Sequence, residues 1–188
     1  MELERIKAAL KALPFEVAAP EGRAAAVAVV FVEAPLRVLF IRRAESERDP
    51  WSGQMAFPGG RHEESDGDLL VTAIRETHEE LGLDLSDARC LGGMEYVEAV
   101  ANGRRLGLRI RPFFFVLPEI PELTPNYEVA EALWGELAPM WRHEVDTEQE
   151  WTTGDQRIRF PGFDVNGHTV WGLTYLMLRR LFQAIGES

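Results

Sequence analysis

Glu76, Glu79 and Glu80 crowd into the stretch "RETHEELGL", residues 75–83, just ahead of a glycine that reads as a helix stop. Carboxylates three and four residues apart on a helix repel one another, and in the last turn they also meet the negative end of the helix dipole. Arg75 supplies one neighbouring cation. A bound divalent ion removes both penalties, and Mg2+ in particular takes oxygen ligands from a few carboxylates, waters and substrate phosphates. In the loop "FPGG", residues 57–60, Pro58 stiffens the entry. Gly59 and Gly60 let the backbone approach a ligand or take positive φ, so a carbonyl there can complete a metal shell. The two readings of such a set are a solvated acidic face and a divalent-cation site.

A helix must present these carboxylates. At about 100° per residue, Leu70, Ala73, Ile74, Thr77 and Leu81 form a core-facing stripe, and the three glutamates occupy a separate sector beside it. The other elements follow from periodicity and breakers. Residues 2–13 read as a short amphipathic helix ending before Pro14. The runs 24–33 and 36–43 read as a hairpin or closely spaced strand pair leading into the glycine loop. "CLGGMEYVEAV", "RLGLRIRPFFFVL" and "NYEVAEALWGEL" alternate as further strands, broken by "ANGR" and the proline-rich "LPEIPELTP". "QRIRFPGF" reads as a late strand and "WGLTYLMLRRLFQAI" as a closing helix. The pattern predicts an α+β fold in which helices cover a mixed sheet.

The 188 residues, 46% hydrophobic, are expected to form one domain over 1–188, with 1–23 as an N-terminal helical extension. A formal charge of −11 is the wrong sign for holding long nucleic acid through its phosphates. Small phosphate compounds remain compatible with it, through a local site or divalent cations. Cys90 is the only cysteine, which excludes an internal disulfide and a CxxC zinc framework. The apolar run 24–32 is too short to cross a bilayer and the N-terminus is charged throughout, so a cytoplasmic location away from membranes is expected.

The stretch "GGRHEESDGDLLVTAIRETHEELGL" resembles the signature of the Nudix hydrolases. Arg75, Glu76, Glu79, Glu80, Gly82 and Leu83 fall in register with its second half. The acidic position falls on Asp66, one residue further from the Arg-Glu pair than the pattern has it, and Thr77 stands at a usually aliphatic place. The resemblance implies a Nudix α/β/α sandwich and hydrolysis of a diphosphate bond in a nucleoside diphosphate derivative, with Mg2+ or Mn2+. By the same carry-over Glu76, Glu79, Glu80 and the Gly60 carbonyl are metal ligands and Arg75 holds the glutamates. Glu80 is the first choice for general base, with Glu95, Glu98 and Glu128 as alternatives.

The segment "VLFIRRAESERDPWSGQMAFPGGR" is similar to the motif ahead of the box in the coenzyme A pyrophosphatase branch. Arg43, Gly53 and "FPGG" fit, whereas Ala44 replaces a serine and Asp49 replaces an arginine, with Arg48 one place early. The later "EVAEALWGEL" and "VWGLTYLML" also resemble that branch. The implied substrate is coenzyme A or an acyl-coenzyme A; the alternatives are ADP-ribose, a dinucleotide or a nucleoside triphosphate, or a non-catalytic nucleotide-sensing module. A homodimer is expected by family likeness.

Phosphate-binding candidates are Arg42, Arg43, Arg48 and Arg61, with Arg61 favoured for its place after the Gly-Gly turn. Among Trp51, Trp134, Trp141, Trp151 and Trp171, Trp51 is the least core-like and the one able to offer a stacking face. His62, His78, His143 and His168 lack metal-ligand spacing, and Cys90 reads as a small buried residue.

Overall fold

The uninterrupted apolar run after residue 23 becomes the centre of the sheet. A computed structural model describes residues 3–186 other than 34, 48, 102, 154 and 155. In it β1 (Arg23–Val32) runs parallel to β7 (Arg104–Leu117), in register from Arg23↔Leu108 to Val32↔Leu117. On its other side β1 meets β2 (Arg37–Arg43) in an antiparallel turn-back limited to Phe31↔Val38 and Val32↔Arg37. Beyond that turn it pairs with β4 (Gly59–Arg61). β3 (Met55–Ala56) and β8 (Val129–Glu136) add to β2, and β5 (Arg89–Gly93) and β6 (Val97–Ala101) add to β7. One parallel pair among antiparallel ones makes this eight-stranded sheet mixed.

Strand alternation splits the core in two. Ala24, Ala26, Ala28 and Val30 of β1, with Leu39 and Ile41 of β2, face the helix α2 (Leu69–Leu81). Ala25, Val29, Phe31, Val38 and Phe40 face the other way. There they meet Ile6 and Leu10 of α1 (Leu3–Lys11) and Leu178, Leu181 and Phe182 of α4 (Gly172–Ala184). Each of these larger side chains contributes ~1.5–3 kcal/mol by leaving water. Helices therefore cover both faces of the mixed sheet, the α/β/α arrangement expected. Short α3 (Leu137–Trp141) leads to a separate antiparallel sheet of β9 (Asp146–Thr153), β10 (Gln156–Val165) and β11 (His168–Trp171). No helix among the described residues is long and apolar enough to cross a membrane.

Two local readings change, and one strand lies outside the sequence reading. Gly59 and Gly60 are not a free turn but two of the three residues of β4, because they pair with Val27 and Ala26 of β1. Gly59 sits at φ 148°, and a side chain there would strike the Ala26 carbonyl. "CLGGMEYVEAV" forms two strands rather than one, parting after a register shift between Cys90 and Gly92, the latter at φ 140°. The polar β9 carries no apolar alternation of its own and takes its conformation from pairing with β10.

Candidate metal-dependent active site

Helix α2 starts where Asp68 accepts a hydrogen bond from the Val71 N–H at 2.9 Å, and ends at Gly82 in the left-handed region at φ 65°. Its buried positions are Leu69, Thr72, Ala73, Thr77, Glu80 and Leu81. This corrects the expectation that all three glutamates lie beside the core-facing stripe, since Glu80 belongs to the buried face itself. Thr77 is tolerated at an aliphatic place because its hydroxyl donates to the Ala73 carbonyl at 2.7 Å.

The three carboxylates consequently occupy three environments. Glu80 is only 3% exposed, and its Oε2 accepts from the Gly59 N–H at 2.9 Å. Burial pushes its carboxyl up to about 8, against the opposing pull of that hydrogen bond and of Arg43. The Glu76 side chain is 17% exposed and is also raised by burial. Glu79 is 53% exposed. Gly60 lies against Glu76 so closely that a Cβ added there would fall 2.5 Å from its carboxylate carbon.

Arg75 ties these groups together. Its Nε and Nη2 bind Asp66 Oδ1 and Oδ2 at 2.6 and 3.1 Å, and Nη2 also reaches the Arg61 carbonyl at 3.0 Å. Its Nη1 stands 3.1 Å from Glu76 Oε1 and 3.2 Å from Glu79 Oε2. Asp66 is buried and further held by the Glu63 N–H and the Thr72 hydroxyl at 2.9 and 2.8 Å. The Arg75 hydrogen bonds keep the Asp66 carboxyl well below the usual carboxylate range. His62 Nδ1 lies 2.8 Å from Thr72 Oγ1.

The dipole penalty has its own answer in the loop before β8. Thr124 N–H donates to the Leu81 carbonyl at 2.7 Å, and Asn126 donates to Glu80 O from its backbone at 2.8 Å and to Glu79 O from Nδ2 at 2.9 Å. These are carbonyls that the helix end leaves without partners. The same loop carries Glu128, whose charge faces Glu76 and Glu80.

These residues line a cleft of about 540 Å3. Its lining includes the charged Glu76, Glu79, Glu80, Glu128, Arg61 and Arg75 and the apolar Val27, Leu108, Ile110, Leu173 and Met177. Arg43 and Trp51 also line it, and Asp49 fastens both: Arg43 Nε donates to Oδ2 at 2.6 Å and Trp51 N–H to Oδ1 at 3.0 Å.

Other sequence candidates fall elsewhere. Arg42 faces Glu131 at 3.6 Å, Glu98 pairs with Arg105 at 3.0 Å, and neither Glu95 nor Glu98 lines the cleft. His168 meets Glu131 at 3.1 Å. Trp151 and Trp171 pack on each other at 5.6 Å. The Cys90 thiol is pushed up by burial, in keeping with an unreactive residue. Arg48 lies outside the described residues. Sequence reasoning missed Asn126 and the Asp49 bridge, since no local pattern marks either before the loops are folded against α2 and β2.

The donor set suits a hard cation: carboxylates only, beside a glycine whose missing side chain leaves room, with a buried Glu80 that gains its charge when a cation lies near. Among the described residues no three carboxylate, imidazole or thiol side chains are gathered into a ready-made cage. Arg75 Nη1 instead stands between Glu76 and Glu79 as their counter-charge.

Residues 22–152 match the sequence model of the NUDIX domain. An uncharacterized protein of Schizosaccharomyces pombe is 38% identical over 114 residues, covering 58% of this chain and 35% of that protein. An uncharacterized Nudix hydrolase NudL of Cronobacter sakazakii is 28% identical over 171 residues, covering 88% of this chain and 84% of the relative. A NUDIX hydrolase from Alicyclobacillus acidocaldarius shares the fold with a TM-score of 0.52 at 24% identity, over 67% of this chain and 84% of that one. The bifunctional NMN adenylyltransferase/ADP ribose pyrophosphatase of Francisella tularensis does so with a TM-score of 0.58 at 18% identity, over 98% of this chain and 46% of that one.

Proposed function

The chain belongs to the Nudix family, a family of metal-dependent pyrophosphohydrolases, and from that premise we propose that it cleaves the diphosphate of coenzyme A or an acyl-coenzyme A. The products are 3′,5′-ADP and the corresponding phosphopantetheine. The observation that carries the reading is the meeting of Glu76, Glu80 and Glu128 in one cleft whose lining also includes Arg43, Arg61 and apolar side chains. The segment that resembles the coenzyme A branch supplies much of that cleft, including Arg43, Trp51, Phe57 and Gly60.

In this reading Glu76, Glu79, Glu80 and the Gly60 carbonyl hold Mg2+ or Mn2+, which when bound polarises the phosphate and acidifies water. Arg75, fixed by Asp66, keeps Glu76 and Glu79 aimed. Arg43 and Arg61 meet phosphate oxygens, and Trp51 offers its ring to the base. Glu80 is shielded and already engaged by Gly59, so the proton of the attacking water goes to the exposed Glu128.

A second reading, with ADP-ribose or a dinucleotide as substrate, is favoured by one observation. Arg43, a cation that an additional substrate phosphate would seek, is already paired with Asp49. Product analysis separates the two. Metal-dependent, chelator-sensitive release of 3′,5′-ADP from coenzyme A supports the first. AMP from ADP-ribose with coenzyme A left intact supports the second.

A further inference from the structure

Asn126 uses both ends of its side-chain amide. Nδ2 donates to the Glu79 carbonyl at 2.9 Å, and Oδ1 accepts from the Glu128 N–H at 2.8 Å. Its own N–H donates to the Glu80 carbonyl at 2.8 Å, and its carbonyl accepts from the Val129 N–H at 3.2 Å. One residue thus touches the backbone of two glutamates of α2 and of the glutamate opposite them. The Glu128 carbonyl is held in turn by the Ala44 N–H at 2.8 Å, beside Arg43 at the end of β2. Both backbone polar groups of Glu128 are therefore occupied, one by the loop that caps α2 and one by the strand that carries Arg43.

We propose that Asn126 is a positioning residue that locks Glu128 to the glutamate-bearing turn of α2, so that the proton acceptor and the cation-binding carboxylates move as one unit. The proposal rests on the reading of Glu128 as the group that takes the proton from water. An amide is the fitting side chain, since it donates and accepts at once from a short stem. Aspartate would set an acceptor against the Glu79 carbonyl, and alanine would leave both partners unmet. The eleven-residue loop 118–128 contains Pro118, Pro121 and Pro125, and among the described residues its other hydrogen bond to the end of α2 is Thr124 on Leu81. Loss of the Asn126 side chain leaves Glu128 without its link to Glu79, and only the backbone bond from residue 126 to the Glu80 carbonyl remains.

The test is a double-mutant cycle with the full chain, using N126A, E128Q and N126A/E128Q on coenzyme A and on ADP-ribose, read on whichever of the two the wild type cleaves. A misplacement of about 1 Å costs roughly 10²-fold in rate, so N126A is expected to lose on the order of 30- to 100-fold in kcat with KM within about threefold. The double variant should be no slower than E128Q, because a residue acting through Glu128 has nothing left to position. Multiplying losses, with E128Q itself slow, overturn the positioning role and leave the base assignment standing. Wild-type turnover in E128Q removes the base assignment and the proposal with it.

Amide hydrogen exchange supplies a readout free of activity. N126A should speed exchange at the Glu128 N–H at least tenfold while Thr77, in the body of α2, stays protected. Unchanged protection at Glu128 overturns the proposal.

Discussion

Asp66 grips Arg75 with both carboxylate oxygens, Oδ1 on Nε at 2.6 Å and Oδ2 on Nη2 at 3.1 Å, and this leaves Nη1 to face Glu76 and Glu79. A charged group of the box is thereby aimed by a buried partner outside the helix. Removing the buried member of such a pair leaves Arg75 Nε and Nη2 without their charged partner, so D66N should destabilise the protein by about 3 kcal/mol at pH 7.

The pH dependence of that loss has a definite sign. The Asp66 carboxyl is held far below its ordinary value, chiefly by Arg75. Its contribution is fully present above the unfolded value of about 3.9 and fades as pH falls toward the folded value. Denaturant unfolding of wild type and D66N should show a gap that is constant from pH 7 to pH 5 and narrows from pH 4 toward pH 2. A gap that stays constant down to pH 2 would mean that the carboxylate charge is not its source.

Glu80 gives the opposite slope. With its folded value raised to about 8 by burial, the favourable contribution is present below about 4.3 and lost as pH rises through 8. In EDTA the melting temperature should fall between pH 5 and pH 9, and E80Q should flatten that fall. Added Mg2+ should restore the wild type most at the alkaline end and E80Q least. Turnover of E80Q should drop by on the order of 10²-fold or more. An equal Mg2+ shift in both proteins would sink the assignment of Glu80 to the cation.

Gly60→Ala tests the cradle directly. The new Cβ would fall within 2.5 Å of the Glu76 carboxylate, and displacing that group by about 1 Å should cost roughly 10²-fold in turnover. Mn2+ affinity, measured by electron paramagnetic resonance, should weaken in parallel while the circular dichroism spectrum is retained. Full activity would show that Glu76 has room the structure does not give it.

Asp49 is expected to govern substrate charge. D49N keeps the shape of the bridge to Arg43 and Trp51 but removes the negative charge from it. The ratio of kcat/KM for coenzyme A over ADP-ribose should rise about tenfold, a 1.4 kcal/mol change that suits one added charge contact. A ratio that does not move would separate Asp49 from substrate choice.

Much of this was readable in the chain. The apolar runs 24–32 and 38–41 marked strands, and being apolar throughout they can bury both faces, so that successive residues enter opposite halves of the core. The spacing of Glu76, Glu79 and Glu80 ahead of Gly82 placed three carboxylates on neighbouring parts of one helix.

Tertiary structure decided the rest, because it depends on what is packed against each residue and not on the residue's neighbours in sequence. Burial against β4 sets Glu80 apart from Glu79, although the two are adjacent in the chain. The loop 118–128 must fold back on α2 before Asn126 can meet Glu79 and Glu128 can face Glu76. Gly59 and Gly60 have the composition of a turn, yet pairing with β1 makes them strand. Local spacing determines which groups can share a helix face, whereas the approach of remote strands and loops determines which of them lose water, and with it their ordinary charge.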